Sequence, residues 1–253
     1  MDPGRVKTSL NHIKKIYSKI LDGSCPHVIA AAVSMVDQTK ERYDYAVRNR
    51  SRGLTPEPWG YAIYHDQPLR FKRTKIPNGL DLQVDVYCDI RWEDADVPVQ
   101  QDLKIRIWSE DARTVFDENR DASVMQGLIE GNRRNGQPGR VVSRFHFDKS
   151  NPGQSVGPVY HLQFGGIPED YELCWHPKKV NVPRLVYHPV ELCLTCQMIA
   201  MNFFPDDYLE LREKIELRQE VLHYQEIMLK SYYQQCLIFI NDKELLLESL
   251  WSS

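Results

Sequence analysis

The sequence predicts an α+β fold: an antiparallel sheet packed by a buried helix, with a helical hairpin in front and a long C-terminal helix behind. Three observations predict it. Apolar residues recur at helical spacing over residues 6–47, the period switches to two from Trp59 onward, and a helical pattern returns after Pro189. The implied organisation is a front hairpin at 1–55, an α+β core at 56–204 and a helical extension at 205–253.

Val6, Leu10, Ile13, Tyr17 and Ile20 form one stripe of the first helix, with Lys7, Lys14, Lys15 and Lys19 off it, and Asp22-Gly23 offers a left-handed stop. Ser24 is placed to cap a second helix with Pro26 in its first turn. Ile29, Val33, Val36, Tyr43 and Val47 then keep the period toward Arg50.

In "LDLQVDVYCDIRW" every even position from Leu80 to Trp92 is apolar, while the odd ones read Asp81, Gln83, Asp85, Tyr87, Asp89 and Arg91. A strand with one buried face and one wet face writes that pattern. "YAIYH", "LRFKRTKI", "LKIRIW", "RTVFD" and the hairpin "VVSRFHFDKSNPGQSVGPVYHLQFGG" supply its neighbours, separated by Pro and Gly. A short helix is expected at Ala122–Ile129, followed by an exposed loop "EGNRRNGQPGR".

Pro189 opens a helix that is apolar almost all round, through Leu192, Cys193, Leu194, Cys196, Met198, Ile199 and Phe203, and must be buried against the sheet. Pro205 ends it. Tyr208, Ile215, Leu222, Leu229 and Cys236 follow at seven-residue spacing, and one helix from Asp206 to Ile240 would run about 50 Å at 1.5 Å per residue. Such a helix needs a surface to pack on: the front hairpin, a second copy or another protein. The tail adds Leu245, Leu246, Leu247, Leu250 and Trp251.

Composition excludes several classes. A net charge of −3 gives no global field toward nucleic acid or membrane; the basic runs "RNRSR" and "RFKRTK" read most simply as solvated faces, with contact to a phosphate backbone as the less favoured alternative. The stretch "MDPGRVKTSL" lacks a signal-peptide core, and no eighteen consecutive residues are apolar, so a cytoplasmic protein without a membrane span is expected. Walker, dinucleotide, G-x-S-x-G and H-E-x-x-H motifs are missing, and no cofactor is expected.

The candidate chemistry lies on the quoted hairpin. Alternation sends Phe145, Phe147, Leu162 and Phe164 to the core and turns Arg144, His146, Asp148, His161 and Gln163 outward. Two histidines, a carboxylate and a guanidinium on one face are the ingredients of metal-free phosphodiester cleavage; they are equally ordinary sheet-surface residues. Cys193-x-x-Cys196 has half a zinc-ribbon spacing, with Cys174, His176 and His188 upstream, but its apolar helical context reads as core packing. Asp81, Asp85 and Asp89 with a histidine would suit Mg²⁺ or Mn²⁺, though alternating acids on a strand are ordinarily solubilising, so no metal site is assigned.

The order "RFHFD", "YHLQFGG", "VPR" and "HPVELCLTCQMIAMNFF", over Val141–Phe204, resembles a loose family of bacterial proteins encoded beside mobile-element and antiviral genes. In architecture and size the chain is similar to the small accessory subunit of type III-E CRISPR loci. The resemblance implies an accessory role in bacterial defence and assigns no chemistry to Arg144, His146, Asp148, His161 or Arg184.

Together these readings lead to an expected accessory protein that docks another protein, a defence-complex subunit or a second copy, through its helical ends. Ile215, Leu222, Leu229, Tyr232, Cys236 and Trp251 are the expected contacts. The alternative is a small metal-independent nuclease-like enzyme using His146 and His161, with Asp148 orienting an imidazole and Arg144 holding a phosphate.

Overall fold

The computed structural model describes residues 1–75, 81–109, 130–131, 139–149, 160–164, 185–186, 188, 190–230, 232–234 and 237. Helix α1 (Pro3–Ile16) is capped by Asp2, whose carboxylate accepts from the Arg5 amide at 2.7 Å. It buries Val6, Leu10 and Ile13, with Tyr17 and Ile20 following in the turn, which is the predicted stripe. Helix α2 (Cys25–Arg48) starts where expected, but Ser24 makes no side-chain cap. Its hydroxyl instead donates to Asp22, which also accepts from the Ser24 amide and so organises the turn. A 3₁₀ turn at Arg50–Arg52 closes on Gly53, whose φ of 83° suits glycine.

All strand pairings are antiparallel, and the twelve-residue β4 (Asp81–Trp92) takes part in four of them. Strands β1 (Trp59–Ile63), β2 (Leu69–Arg70) and β3 (Thr74–Lys75) line up along one of its edges. On the other side lie β5 (Gln100–Ser109), β6 (Arg140–Lys149), β7 (Tyr160–Phe164) and β8 (Leu185–Val186) in that order. The even positions of β4 are buried, and the register extends their face through Leu103, Ile105 and Ile107, then Phe147 and Leu162. Helices cover that face. Thr39 of α2 both donates to the Gly60 carbonyl and accepts from its amide, and a Cβ at Gly60 would lie 2.0 Å from the Ile90 oxygen.

Helix α3 (Leu192–Phe203) is the predicted buried helix, but it begins after Pro189, with Glu191 as its cap. Leu192, Cys193, Cys196, Ile199 and Ala200 join one hydrophobic cluster with residues of α1, α2 and the sheet. The C-terminal region is helical as predicted, but divided: α4 (Pro205–Leu211), α5 (Ile215–Tyr224) and a π-helical segment at Gln225–Lys230. The break has a packing reason. Leu211 and Leu217 are both buried, yet on a continuous helix they would sit about 120° apart around the axis. At the break Lys214 adopts extended backbone and donates to the Ile16 carbonyl at 3.1 Å.

Of the three surfaces that could support this region, the front hairpin supplies one. Glu220, fully buried on α5, meets His12 at 2.6 Å and Arg5 at 3.1 Å on α1. Lys15–Glu216 and Lys19 with Asp207 and Glu210 add exposed pairs along the same seam. The expected strand "RTVFD", the helix at 122–129, Cys174, His176, Arg184, Pro189, Cys236 and Trp251 lie outside the described residues. Among the described residues no helix is long and apolar enough to cross a membrane.

Candidate functional site

The odd face of the sheet departs from the wet face that alternation suggests: Gln83, Asp85 and Tyr87 of β4 are buried. Register arranges its polar side chains in three rows. Asp85, Arg106 and Arg144 form the first, Tyr87, Lys104, His146 and Gln163 the second, and Asp89, Asp102, Asp148 and His161 the third.

Ion pairs and ring contacts hold these rows. Arg70 of β2 grips Asp85 with two hydrogen bonds, at 2.8 and 2.9 Å. Arg106 donates to the Tyr87 hydroxyl at 3.0 Å and lies 4.4 Å from the centre of that ring. Lys104 reaches Asp102 at 3.3 Å, and His146 Nε2 meets the same carboxylate at 2.8 Å. Burial pushes the Asp102 carboxyl upward, but the His146 bond and the Lys104 charge outweigh it and hold the group below its usual range.

The four hairpin residues therefore share a face, as predicted, but not an environment. Arg144 and His161 are 3 % and 2 % exposed, which corrects the expectation that both point to solvent or a cleft. His146 and Asp148 are partly exposed. The two imidazoles are not cross-strand partners: His146 stands opposite Gln163, and His161 opposite Asp148. Asp148 lies 3.8 Å from His161 Nε2, an ion-pair distance too long for a hydrogen bond. The carboxylate that orients His146 is Asp102, which the sequence reading missed. Its signal was the alternation Asp102, Lys104, Arg106 in "QDLKIRIW". Chemically, the face offers one part-exposed imidazole backed by a carboxylate, with a buried guanidinium and a buried second imidazole in the rows to either side.

Cys193 and Cys196 are free and buried in the core, where desolvation drives both thiol pKa values well up. Among the described residues no group of three or more metal-ligating side chains converges. Nearby, Glu191 is a buried carboxyl whose pKa burial raises to about 8, against the bond from the Cys193 amide at 2.6 Å; the Tyr61 hydroxyl lies at 3.4 Å.

The other candidate is the outward face of α5. Leu217, Glu220, Val221 and Tyr224 point into the molecule, which leaves Ile215 and Leu222, seven residues apart, 66 % and 65 % exposed. Leu229 is half-buried within the π-helical segment, whose wider winding shifts the seven-residue stripe. Tyr232, expected as a partner contact, is turned into its own chain and packs edge-on against Tyr160 at 5.8 Å. Leu209, Tyr233 and Leu237 are further exposed apolar residues of this region that heptad counting did not single out.

No family model matches the chain, and no curated protein or solved structure matches it significantly.

Proposed function

We propose that this protein is an accessory module that docks an amphipathic helix of another protein on the outward face of α5. The observation that carries the reading is the exposure of Ile215 and Leu222, two turns apart on a helix whose opposite face is locked to α1 through Glu220. Two apolar knobs at that spacing suit the side-chain holes of a partner helix crossing at a shallow angle. The rim carries both signs, with Glu213, Arg218 and Glu226 exposed, which fits a mixed-charge helix better than a membrane or a polyanion. A ten-residue helix offers less than the roughly 800 Å² that each side of a stable complex buries, so reversible capture fits better than a permanent dimer.

Membership of a bacterial defence assembly belongs to the same reading and rests on the resemblance over residues 141–204. A cytoplasmic setting belongs to it too, in keeping with the buried free thiols of Cys25, Cys88, Cys193 and Cys196. The test is the double variant Ile215→Arg/Leu222→Arg. A partner recovered from the native host with the wild-type protein should be lost with the variant, at unchanged circular dichroism. Equal recovery with both would overturn the reading.

A second reading, metal-independent phosphodiester cleavage, keeps one supporting observation, the Asp102–His146 hydrogen bond that prepares an accessible imidazole for proton transfer. Purified protein incubated with RNA in chelator tests it: cleavage that disappears with His146→Ala would make this the better account.

A further inference from the structure

We infer that the end of α2 and the 3₁₀ turn after it form a binding surface for single-stranded nucleic acid. Arg42, Arg48, Arg50 and Arg52 are all exposed, within eleven residues that contain no lysine. None of the four has a carboxylate within ion-pair distance among the described residues, and Arg48 spends its Nε on the Asp44 carbonyl. Several cations elsewhere are engaged, Lys7 with Asp37, Lys15 with Glu216, Lys19 with Asp207 and Glu210, whereas Lys14 and Lys75 stand singly. Even within α2, Lys40 pairs with Asp44.

Helix geometry sets two of the arginines beside an aromatic ring. The buried residues Cys25, Ile29, Ala32, Val36 and Tyr43 set the inward side of α2, and at about 100° per residue Tyr45 points away from it, flanked by Arg42 and Arg48. Tyr45 is 56 % exposed. The 3₁₀ turn carries Arg50 and Arg52 onward, and the amides of Arg52 and Gly53 bond back to Asn49 and Arg50, so these arginines stand on ordered backbone.

Acidic groups are present nearby. Glu41 is exposed on α2, and Asp94 and Glu93 share Tyr43 as a neighbour with Arg50; Asp94 is committed to the Tyr43 hydroxyl at 2.9 Å. An unneutralised guanidinium cluster on a chain of net charge −3 matches phosphates, which arginine holds with paired donors. The exposed Tyr45 ring, with Leu54 also open, favours unpaired bases that stack over a duplex that offers no base faces.

Fluorescence anisotropy of the full chain with labelled 20-nucleotide single-stranded RNA and DNA tests this, with polyglutamate of matched charge as competitor. Wild-type protein should bind at 50 mM salt. Arg48→Ala/Arg50→Ala/Arg52→Ala should weaken binding at least tenfold and flatten the log–log salt dependence by about 2, at roughly 0.7 per phosphate contact. The matching triple lysine variant should keep most of the binding. Tyr45→Ala should weaken binding about 5- to 100-fold and leave the salt dependence unchanged, as expected for a lost stacking platform. No binding by the wild type, undiminished binding by the alanine variants, or displacement by polyglutamate as readily as by unlabelled RNA would each overturn the inference.

Discussion

Replacing Glu191 with glutamine should remove a pH dependence built into the core. The folded protein holds this carboxyl at a pKa of about 8, against 4.5 for the free side chain, because burial disfavours its charge more than the Cys193 amide and Tyr61 hydroxyl favour it. Between those two values the folded state keeps a proton that the unfolded chain has released. The stability contributed is therefore complete below about pH 4.5 and is lost as pH rises toward about 8. The slope is about 1.4 kcal/mol per pH unit, and the whole window is on the order of 5 kcal/mol. Glutamine keeps the cap, since its Oε1 accepts from the Cys193 amide, and it carries no charge. Urea unfolding of both proteins from pH 5.5 to 8.5 isolates the effect, because the histidines and the other carboxyls cancel in the difference. The variant should gain on the wild type with each pH unit and be the more stable protein at pH 8.5. Parallel curves across the range would refute a buried, protonated Glu191.

Two further predictions concern how the layers are joined. Glu220→Ala removes the buried acid and leaves Arg5 and His12, both part-exposed, free to rehydrate, so it should cost about 1–3 kcal/mol in urea unfolding. Arg5→Ala/His12→Ala strands the fully buried carboxylate and should cost more, about 3–5 kcal/mol; the reverse order would show that Glu220 does not anchor α5 to α1. Gly60→Ala places a methyl group 2.0 Å from the Ile90 carbonyl oxygen, so thermal unfolding should show a loss of several degrees or more, whereas an unchanged melting temperature would contradict the close approach of β1 to β4.

The apolar side of the fold was legible in the sequence because periodicity reports burial directly. The α1 stripe, the even positions of β4 and the all-round apolar helix 192–203 are each placed as their spacing implies. What spacing misses is burial achieved by pairing. Asp85 and Tyr87 read as wet-face residues, but the bidentate grip of Arg70 on the one and the stack of Arg106 on the other let them be enclosed, and partners from β2 and β5 are not visible from β4 alone. The same holds for Asp102, whose role toward His146 depends on register across two strands. Leu229 is less open than Ile215 and Leu222 for a local reason: the π-helical winding that begins at Gln225 shifts the phase that a seven-residue count assumes.

The docking account stands or falls on what touches Leu222. A photo-crosslinking residue placed there in the full-length protein, with Glu41 on α2 as the control position, should join to an amphipathic segment of a different protein when irradiated in the native host, as read by mass spectrometry of the joined peptides. Joining to a second copy of the chain, to its own residues 238–253, or to nothing beyond the control would contradict it.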